Sequence, residues 1–415
     1  MSNIIFHVDV NSAYLSWEAV HRLQMGEEVD LRQIPSVVGG NEKSRHGIVL
    51  AKSIPAKKYN IQTGETLFSA RLKCPELVVA PPRYHLYMKC SQEMEKLLNR
   101  YSPNVQFYSI DEMFLDYTNM EKHFGDPVSA AHSIKNRIKE ELGFTVNVGI
   151  GPNKLLAKMA SDLKKPDRVH TLFHEEMAAK MWPLSVDKLF MVGSRTAKKL
   201  KAKGINTIGD LAITDRSKLY SMLKSHGVLI HNYANGIENS KVRNDLMPVK
   251  GLGNSSTFAF DVCSEKEALM LLLSLTETVT ARLRRGDFRA KVIKIHIKDK
   301  DFYSFSHQRK VATAISSTDA IYKVVKELFL EIWHKKPIRK MGVALSDIYT
   351  SDCEQLSFWA EEDESKRELD KTIDNIRMRY GSKAVFRSCF LHSGIKPLEG
   401  GVIDSEDYPM VSSIL

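Results

Sequence analysis

Two neighbouring carboxylates, Asp111 and Glu112, stand between the apolar stretches FYSI and MFLD in residues 106–116. Adjacent acids among apolar neighbours repel one another and lose hydration, so any fold that accepts them must neutralise them. The segment has the pattern of a tight hairpin or strand edge in a core. A third acid poses the same problem. Residues 4–10 (IIFHVDV) are a short β-branched run that reads as a buried strand, yet they contain Asp9. Taken alone, Asp9 fits equally well at a solvent-facing strand end; with Asp111 and Glu112 it makes three oxygen donors on neighbouring buried strands. Hard carboxylates without His or Cys favour Mg2+, with Mn2+ as a substitute, over zinc. Two such ions roughly 3.5–4 Å apart serve phosphoryl transfer, one activating the attacking oxygen and the other stabilising the leaving one.

Asn11 and Ser12 break the first strand, and residues 13–25 have helical spacing of apolar positions with Ser12 as the predicted N-cap. Residues 144–166 (FTVNVGIGPNKLLAKMASDLKKP) read as an alternating strand, a glycine turn and an amphipathic helix ended by Pro166. The G-x-G-x-N-K string has neither the spacing of a P-loop nor the third glycine of a dinucleotide fingerprint. Lys165 near the helix end either reaches a phosphate or complements the helix dipole.

Charge bears on the choice of partner. The 415 residues carry 60 Lys and Arg against 50 Asp and Glu, a net charge of +10, which favours a polyanion. The excess is unevenly spread: residues 1–180 hold 23 basic and 21 acidic side chains, 181–240 hold 9 and 4, 241–350 hold 20 and 12, and 351–415 hold 8 and 13. A basic run is ordinarily a solvated face; two consecutive basic segments after a neutral first half suggest instead that catalysis and electrostatic grip are divided between domains. No apolar run approaches the roughly 20 residues needed to span a bilayer, and the N-terminus lacks the layout of a signal peptide, so a cytoplasmic protein is expected. The five cysteines are scattered without a C-x-x-C pair and are expected to be reduced and mostly buried.

Four strings, DVNSAY, SIDEMFLD, VGIGPNKLLAKMASDLKKP and GNSSTF, stand in the order and spacing of the Y-family translesion DNA polymerases, and the chain resembles their bacterial DNA polymerase IV-type members over residues 4–392. The resemblance implies an α+β multidomain right hand: a palm at residues 1–12 and 82–174, fingers at 13–81, a helix-hairpin-helix thumb at 175–243, a linker at 244–249, a little finger at 250–352 and an acidic tail at 353–415. It implies that Asp9, Asp111, Glu112 and the Val10 carbonyl hold two Mg2+ ions, that Ser109 supports the carboxylate loop, and that Tyr14 is the steric gate against a ribose 2′-hydroxyl. Ala51, Lys57, Lys58 and Lys165 fall at nucleotide-binding positions. In the fingers this chain departs from the family's Y-E-A-R string, reading Ile54-Pro55-Ala56-Lys57; Lys57 keeps the charge of arginine without its bidentate fork.

Residues 186–211 resemble a helix-hairpin-helix, in which a glycine turn aims backbone amides and a helix N-terminus at a DNA phosphate. Met191 replaces the usual first glycine and Gly193 keeps the second; residues 225–236 are a weaker second copy. Strands at 250–260, 291–300 and 339–348 with helices at 266–285 and 320–334 fit a β-α-β-β-α-β domain. The DNA-binding set implied is Gly193, Lys198, Lys294, Lys298 and Arg309. In the tail, Gln355, Leu356, Phe358 and Trp359 resemble the peptide by which bacterial polymerases dock into a sliding clamp; the alternative is an amphipathic linker into a helix at 364–380. The expected activity is template-directed, low-fidelity DNA synthesis from dNTPs on primer-template DNA, without proofreading, by a monomer. The alternatives are a catalytically silent scaffold, which would have lost the carboxylates, and a template-free nucleotidyl cyclase, which would not need the basic segments.

Overall fold

The computed structural model describes residues 3–42, 45, 47–244, 248–350 and 364–398. They form two compact units, one drawn from Met1–Val38, Val49–Glu65 and Ser69–Leu246, the other from Gly39–Ile48, Thr66–Phe68 and Met247–Leu415. Among the described residues no helix is long and apolar enough to cross a membrane.

The chain opens with β1 (Ile5–Val10) and α1 (Ala13–Gln24), then makes β2 (Ser36–Gly39), β3 (Val49–Lys52), the one-turn helix α2 (Ile54–Lys58), α3 (Leu67–Lys73) and β4 (Val78–Ala80). These three short strands form a sheet in the order β3-β2-β4. There follow α4 (Tyr84–Leu98), β5 (Val105–Phe107), β6 (Glu112–Asp116), α5 (Glu121–Phe124), α6 (Pro127–Arg137), β7 (Val146–Gly151), α7 (Lys154–Asp162) and β8 (Val169–Thr171). A five-stranded sheet in the order β5-β6-β1-β7-β8 places β1 at its centre, and every residue of β1 is buried. That explains its continuous apolar sequence.

Ser12 stands at the N-cap of α1 with a left-handed backbone (φ 52°) and makes no side-chain capping bond. The hydroxyl cap expected there requires an extended residue, whose oxygen reaches the second or third amide of the helix. Asn153 meets that requirement at α7, its Oδ1 accepting from Leu156 N at 2.9 Å.

Five short helices complete this unit: α8 (Met177–Lys180), α9 (Ser194–Lys201), α10 (Ile208–Ile213), α11 (Arg216–Leu223) and α12 (Ser225–Ala234). Leu189, Val192, Leu200, Leu211 and Ile230 form one core with Leu155, Leu156 and Met159 of α7. Leu155, Leu156 and Met159 of α7 thus anchor the helical array.

The second unit runs β9 (Gly251–Val262), α13 (Glu265–Arg285), β10 (Phe288–Asp299), β11 (Ser304–Ile315), α14 (Thr318–Ile332) and β12 (Ile338–Thr350), the expected β-α-β-β-α-β sequence. Its sheet order is β11-β10-β12-β9. Ile293, Ile295 and Ile297 of β10 share a core with Leu272, Leu275 and Val279 of α13 and with Val325 and Phe329 of α14, so both helices cover one face of the sheet.

Residues 364–398, grouped by sequence with the tail, pack onto this helical layer. They begin with α15 (Glu364–Tyr380). Arg284 of α13 reaches both Asp374 oxygens at 2.6 and 3.1 Å and Asp370 at 3.4 Å. Glu277 Oε1 accepts from Arg377 (3.4 Å) and Arg387 (3.2 Å), and Phe390 and Ile395 enter the same core. Two of the four described cysteines, Cys263 and Cys389, are exposed, against the expectation of burial. Cys353 and the clamp-peptide positions Gln355, Leu356, Phe358 and Trp359 lie outside the described residues.

Candidate active site

The three acids meet through strand register. On the central strand Asp9 is paired with Glu112 of β6 on one side and with Asn147 of β7 on the other. Val10 N donates to Asp111 O at 3.0 Å, which fixes the turn before β6, and Ser109 Oγ donates to Asp111 Oδ1 at 2.6 Å. Ser109 therefore supports the carboxylate loop, as its position in the SIDE string implied.

Each acid is compensated differently. Asp9, only 6% exposed, accepts from Lys165 Nζ at 2.7 Å, and the same ammonium lies 2.8 Å from Asp162. Burial pushes the Asp9 carboxyl up to about 7 against the pull of Lys165, with Glu112 and Asp111 adding to the rise. Burial also raises Asp111. Burial alone would raise Glu112 as well, but His7 and Lys158 draw it below the ordinary carboxylate range. Lys158 Nζ lies 2.7 Å from both Glu112 oxygens, whereas His7 Nε2 is 3.7 Å away, beyond hydrogen-bond distance. Burial pushes His7 towards its neutral form, so the ammonium of Lys158 exerts the larger pull.

Lys158, His7 and Asn147 were not among the residues singled out from sequence. What brings them in is the seat of α7. A Cβ on Gly149 would come within 2.0 Å of Ala157 O, and one on Gly151 within 2.7 Å of Ala157 N. The VGIG string is thus a bed on which helix backbone touches strand backbone, and phosphate cradling is not needed to account for it. At that spacing Ser161 Oγ donates to Lys158 O and stands 2.8 Å from His7 Nδ1. Asn147, fully buried, donates to Ser161 O at 2.9 Å and Lys164 O at 2.8 Å, holding the segment that delivers Lys165 to Asp9. The ammonium of Lys158 also lies 5.5 Å from the Tyr108 ring and 5.4 Å from the Phe190 ring. One signal was present in the sequence: Lys158 shares the buried face of α7 with Leu155 and Met159, and a lysine there needs an acid.

Among the described residues no three His, Cys, Asp or Glu side chains converge at ligating distance, because Asp9 and Glu112 are each held by a lysine. The donor set still suits a divalent cation: burial lifts Asp9 and the neighbouring Glu112 and Asp111 add to the rise, and a cation would offset both the lost hydration and the repulsion.

Tyr14, on the first turn of α1, stacks on Tyr87 with ring centroids 4.6 Å apart and planes 15° apart. Tyr87 is fully buried, so the ring wall has a fixed backing. Ala51 is half-buried on β3, and Lys57 and Lys58 are exposed on α2. Ser53 builds that turn, accepting from Ala56 N at 3.0 Å and donating to Ile34 O at 2.7 Å. Ile54 projects outward, 49% exposed.

Gly193 is the N-cap of α9, with open space where a Cβ would stand, and Lys198 is exposed on the same helix. Met191, in place of a glycine, adopts φ 70°. The left-handed turn survives the substitution, at the steric cost any Cβ incurs there. In the second unit Lys294, His296 and Lys298 alternate with the buried isoleucines of β10 and so lie on the face opposite the helices. Gly342, paired with His296, would bring a Cβ within 2.4 Å of its ring. Arg309 does not join this set. It pairs with Ile293, shares that residue's face, and is held by Glu327 and Glu331 of α14, which engage the guanidinium that was expected to meet DNA.

Comparison with known proteins agrees with this architecture. The profile of the impB/mucB/samB family matches residues 8–162, and that of the family's C-terminal domain matches residues 249–358. The chain is 47% identical over 392 residues to a DNA polymerase IV of Clostridium acetobutylicum, covering 94% of this chain and 99% of that protein. It is 36% identical over 396 residues to DNA polymerase IV 2 of Bacillus subtilis, covering 94% of each. Among solved structures, a Y-family DNA polymerase chimera of Dbh and Dpo4 superposes with a TM-score of 0.72 at 24% identity, over 84% of this chain and all of that one. DinB from Sulfolobus solfataricus does so at 0.55 and 25%, with the same coverage. Identity of this extent along nearly the whole chain, on this fold, means that the chain belongs to the Y-family DNA polymerases, among those of the DNA polymerase IV type.

Proposed function

We propose that this chain is a DNA-directed DNA polymerase that carries out template-directed, low-fidelity translesion synthesis, adding dNTPs to a primer 3′-hydroxyl on primer-template DNA. The observation that carries the reading is the register of Asp9 against Glu112 with Asp111 fixed beside them. In domain terms the palm is residues 1–12 and 82–174, the fingers 13–81, the thumb 175–243 and the little finger 250–352, with a linker at 244–249 and a tail from 353.

Asp9, Asp111, Glu112 and the Val10 carbonyl would hold two Mg2+ ions, which when bound lower the pKa of the attacking hydroxyl and neutralise charge on the departing pyrophosphate. The remaining work belongs to side chains. Lys165, whose ammonium lies beside Asp9, would pair with the β- and γ-phosphates. Lys57 and Lys58 would add positive charge from α2 without the directional fork of an arginine, and Ala51 would join them at the nucleotide. Tyr14, backed by Tyr87, sets the wall against which a 2′-hydroxyl would clash. Gly193 and Lys198 on the thumb, and Lys294 and Lys298 on the little finger, would take DNA phosphates without reading sequence.

Primer extension by purified chain with Mg2+ and four dNTPs tests the reading. Asp111→Ala with Glu112→Ala should abolish extension while leaving DNA affinity nearly intact; residual extension by that variant would sink the metal assignment. We further propose that Gln355, Leu356, Phe358 and Trp359 dock a monomeric, cytoplasmic enzyme onto a sliding clamp. Deleting residues 355–359 should then remove clamp-stimulated synthesis and spare basal activity.

A further inference from the structure

The turn joining β10 to β11 holds two large rings in solvent. Phe302 is 63% and Tyr303 70% exposed, although aromatic rings are among the side chains a fold gains most by burying. The turn is firmly built. Asp299, 2% exposed, accepts through Oδ1 from Asp301 N and Tyr303 N, both at 2.9 Å. Backbone bonds from Asp299 N to Tyr303 O (3.0 Å), from Phe302 N to Asp299 O (3.1 Å) and from Lys300 N to Pro337 O (3.0 Å) close it. Phe302 consequently sits at φ 69°, a conformation that glycine takes freely and a residue with a Cβ takes only under strain.

Cations surround the rings. The Arg339 guanidinium lies 4.9 Å and Lys298 Nζ 5.8 Å from the Phe302 centroid, and Lys336 Nζ lies 6.0 Å from that of Tyr303. Lys300, Lys335 and Lys340 follow in the same two segments, 298–303 and 335–340. Within those two segments the acids are Asp299, committed to backbone amides, and Asp301.

We propose that Phe302 and Tyr303 form a stacking platform for unpaired bases of a DNA strand whose phosphates run along these cations. Every base has a π-face, so an exposed ring binds it without regard to sequence, and clustered Lys and Arg attract the backbone. Paired bases keep their faces within the duplex, so the occupant is single-stranded. On a polymerase that strand is the template beyond the primer terminus, and the inference rests on the polymerase reading in this respect.

The test compares binding of the full chain to a blunt duplex and to the same duplex extended by a 5′ template overhang carrying 2-aminopurine. The overhang should raise affinity and the fluorophore should be quenched. In Phe302→Ala with Tyr303→Ala that gain, roughly fivefold or more per ring, should vanish while blunt-duplex affinity stays put. Phe302→Gly separates stacking from fold: it relieves the backbone strain and should unfold at a higher temperature, yet it should also lose part of the gain. Retention of the gain and the quenching in the alanine variant overturns the platform, as does an equal loss for both DNAs. A wild-type chain that binds the blunt duplex with no overhang gain overturns the platform alone, whereas one that binds neither DNA overturns the polymerase reading with it.

Discussion

Asp9 and Glu112 face each other across one antiparallel pair of strands, yet their carboxyl groups are displaced in opposite directions, Asp9 up to about 7 and Glu112 below the ordinary range. Burial pushes both up, and the difference lies in the groups that oppose it, His7 and Lys158 at Glu112 against Lys165 at Asp9. Lys158 gives its ammonium to both oxygens of Glu112, whereas Lys165 reaches one oxygen of Asp9 and divides itself with Asp162.

A pH dependence follows for the metal-free protein. Asp9 is held up to about 7 from 3.8, so between about pH 4 and pH 7 the folded chain retains a proton there that the unfolded chain has released. Stability contributed by this residue therefore falls as pH rises through that window. Thermal unfolding of wild type and Asp9→Asn from pH 4 to pH 8 should show the variant gaining relative stability with pH; parallel pH slopes would refute the assignment.

Removing the ammonium that compensates Glu112 should cost more than losing a surface ion pair, because Lys158 is 8% exposed. Lys158→Met is expected to destabilise the chain by about 3 kcal/mol. Glu112→Gln in that background should recover part of the loss. Urea titration of the two single variants and the double variant gives the coupling directly, and additive effects would mean that the contact contributes nothing.

On the proposed steric-gate role, it is the ring of Tyr14, stacked on Tyr87, and not its hydroxyl that would discriminate sugars. Tyr14→Ala should therefore raise incorporation of ribonucleotides relative to deoxynucleotides by roughly tenfold or more, while Tyr14→Phe should leave the ratio unchanged. Single-nucleotide insertion kinetics with matched rNTP and dNTP decide it.

Met191→Gly should stabilise the helical array of α8–α12 by about 1 kcal/mol, since glycine takes the left-handed turn at φ 70° without a Cβ clash. DNA affinity should stay level, because Gly193 and α9 are untouched. A lower melting temperature for the variant would mean that the Met191 side chain contributes packing that outweighs its backbone strain.

The acids were legible in sequence because a carboxylate in an apolar strand has few physical uses, and the β-α-β-β-α-β unit was legible because the periods of its segments change cleanly. The compensating groups were not. Lys158 meets Glu112 only because α7 lies on Gly149 and Gly151, a distance no local pattern encodes. Arg309 was placed in the DNA-binding set, although the two-residue period shared with Phe305 and Val311 on β11 already put it on the helical side. Residues 364–398 were grouped with the acidic tail at 353–415 because their partners, Arg284 and Glu277, stand roughly a hundred residues earlier in the chain.

The contact of Gly149 with the backbone of α7 has a further effect. Where side chains separate two layers, a changed rotamer or a lost methyl group lets one layer settle against the other. Here peptide groups themselves set the gap, so drift elsewhere in the core cannot alter it by repacking. Glu112, Asp9 and their lysines are thus gauged from main chain to main chain, and the dimensions of the carboxylate cluster are insulated from the sequence changes that the surrounding core can absorb.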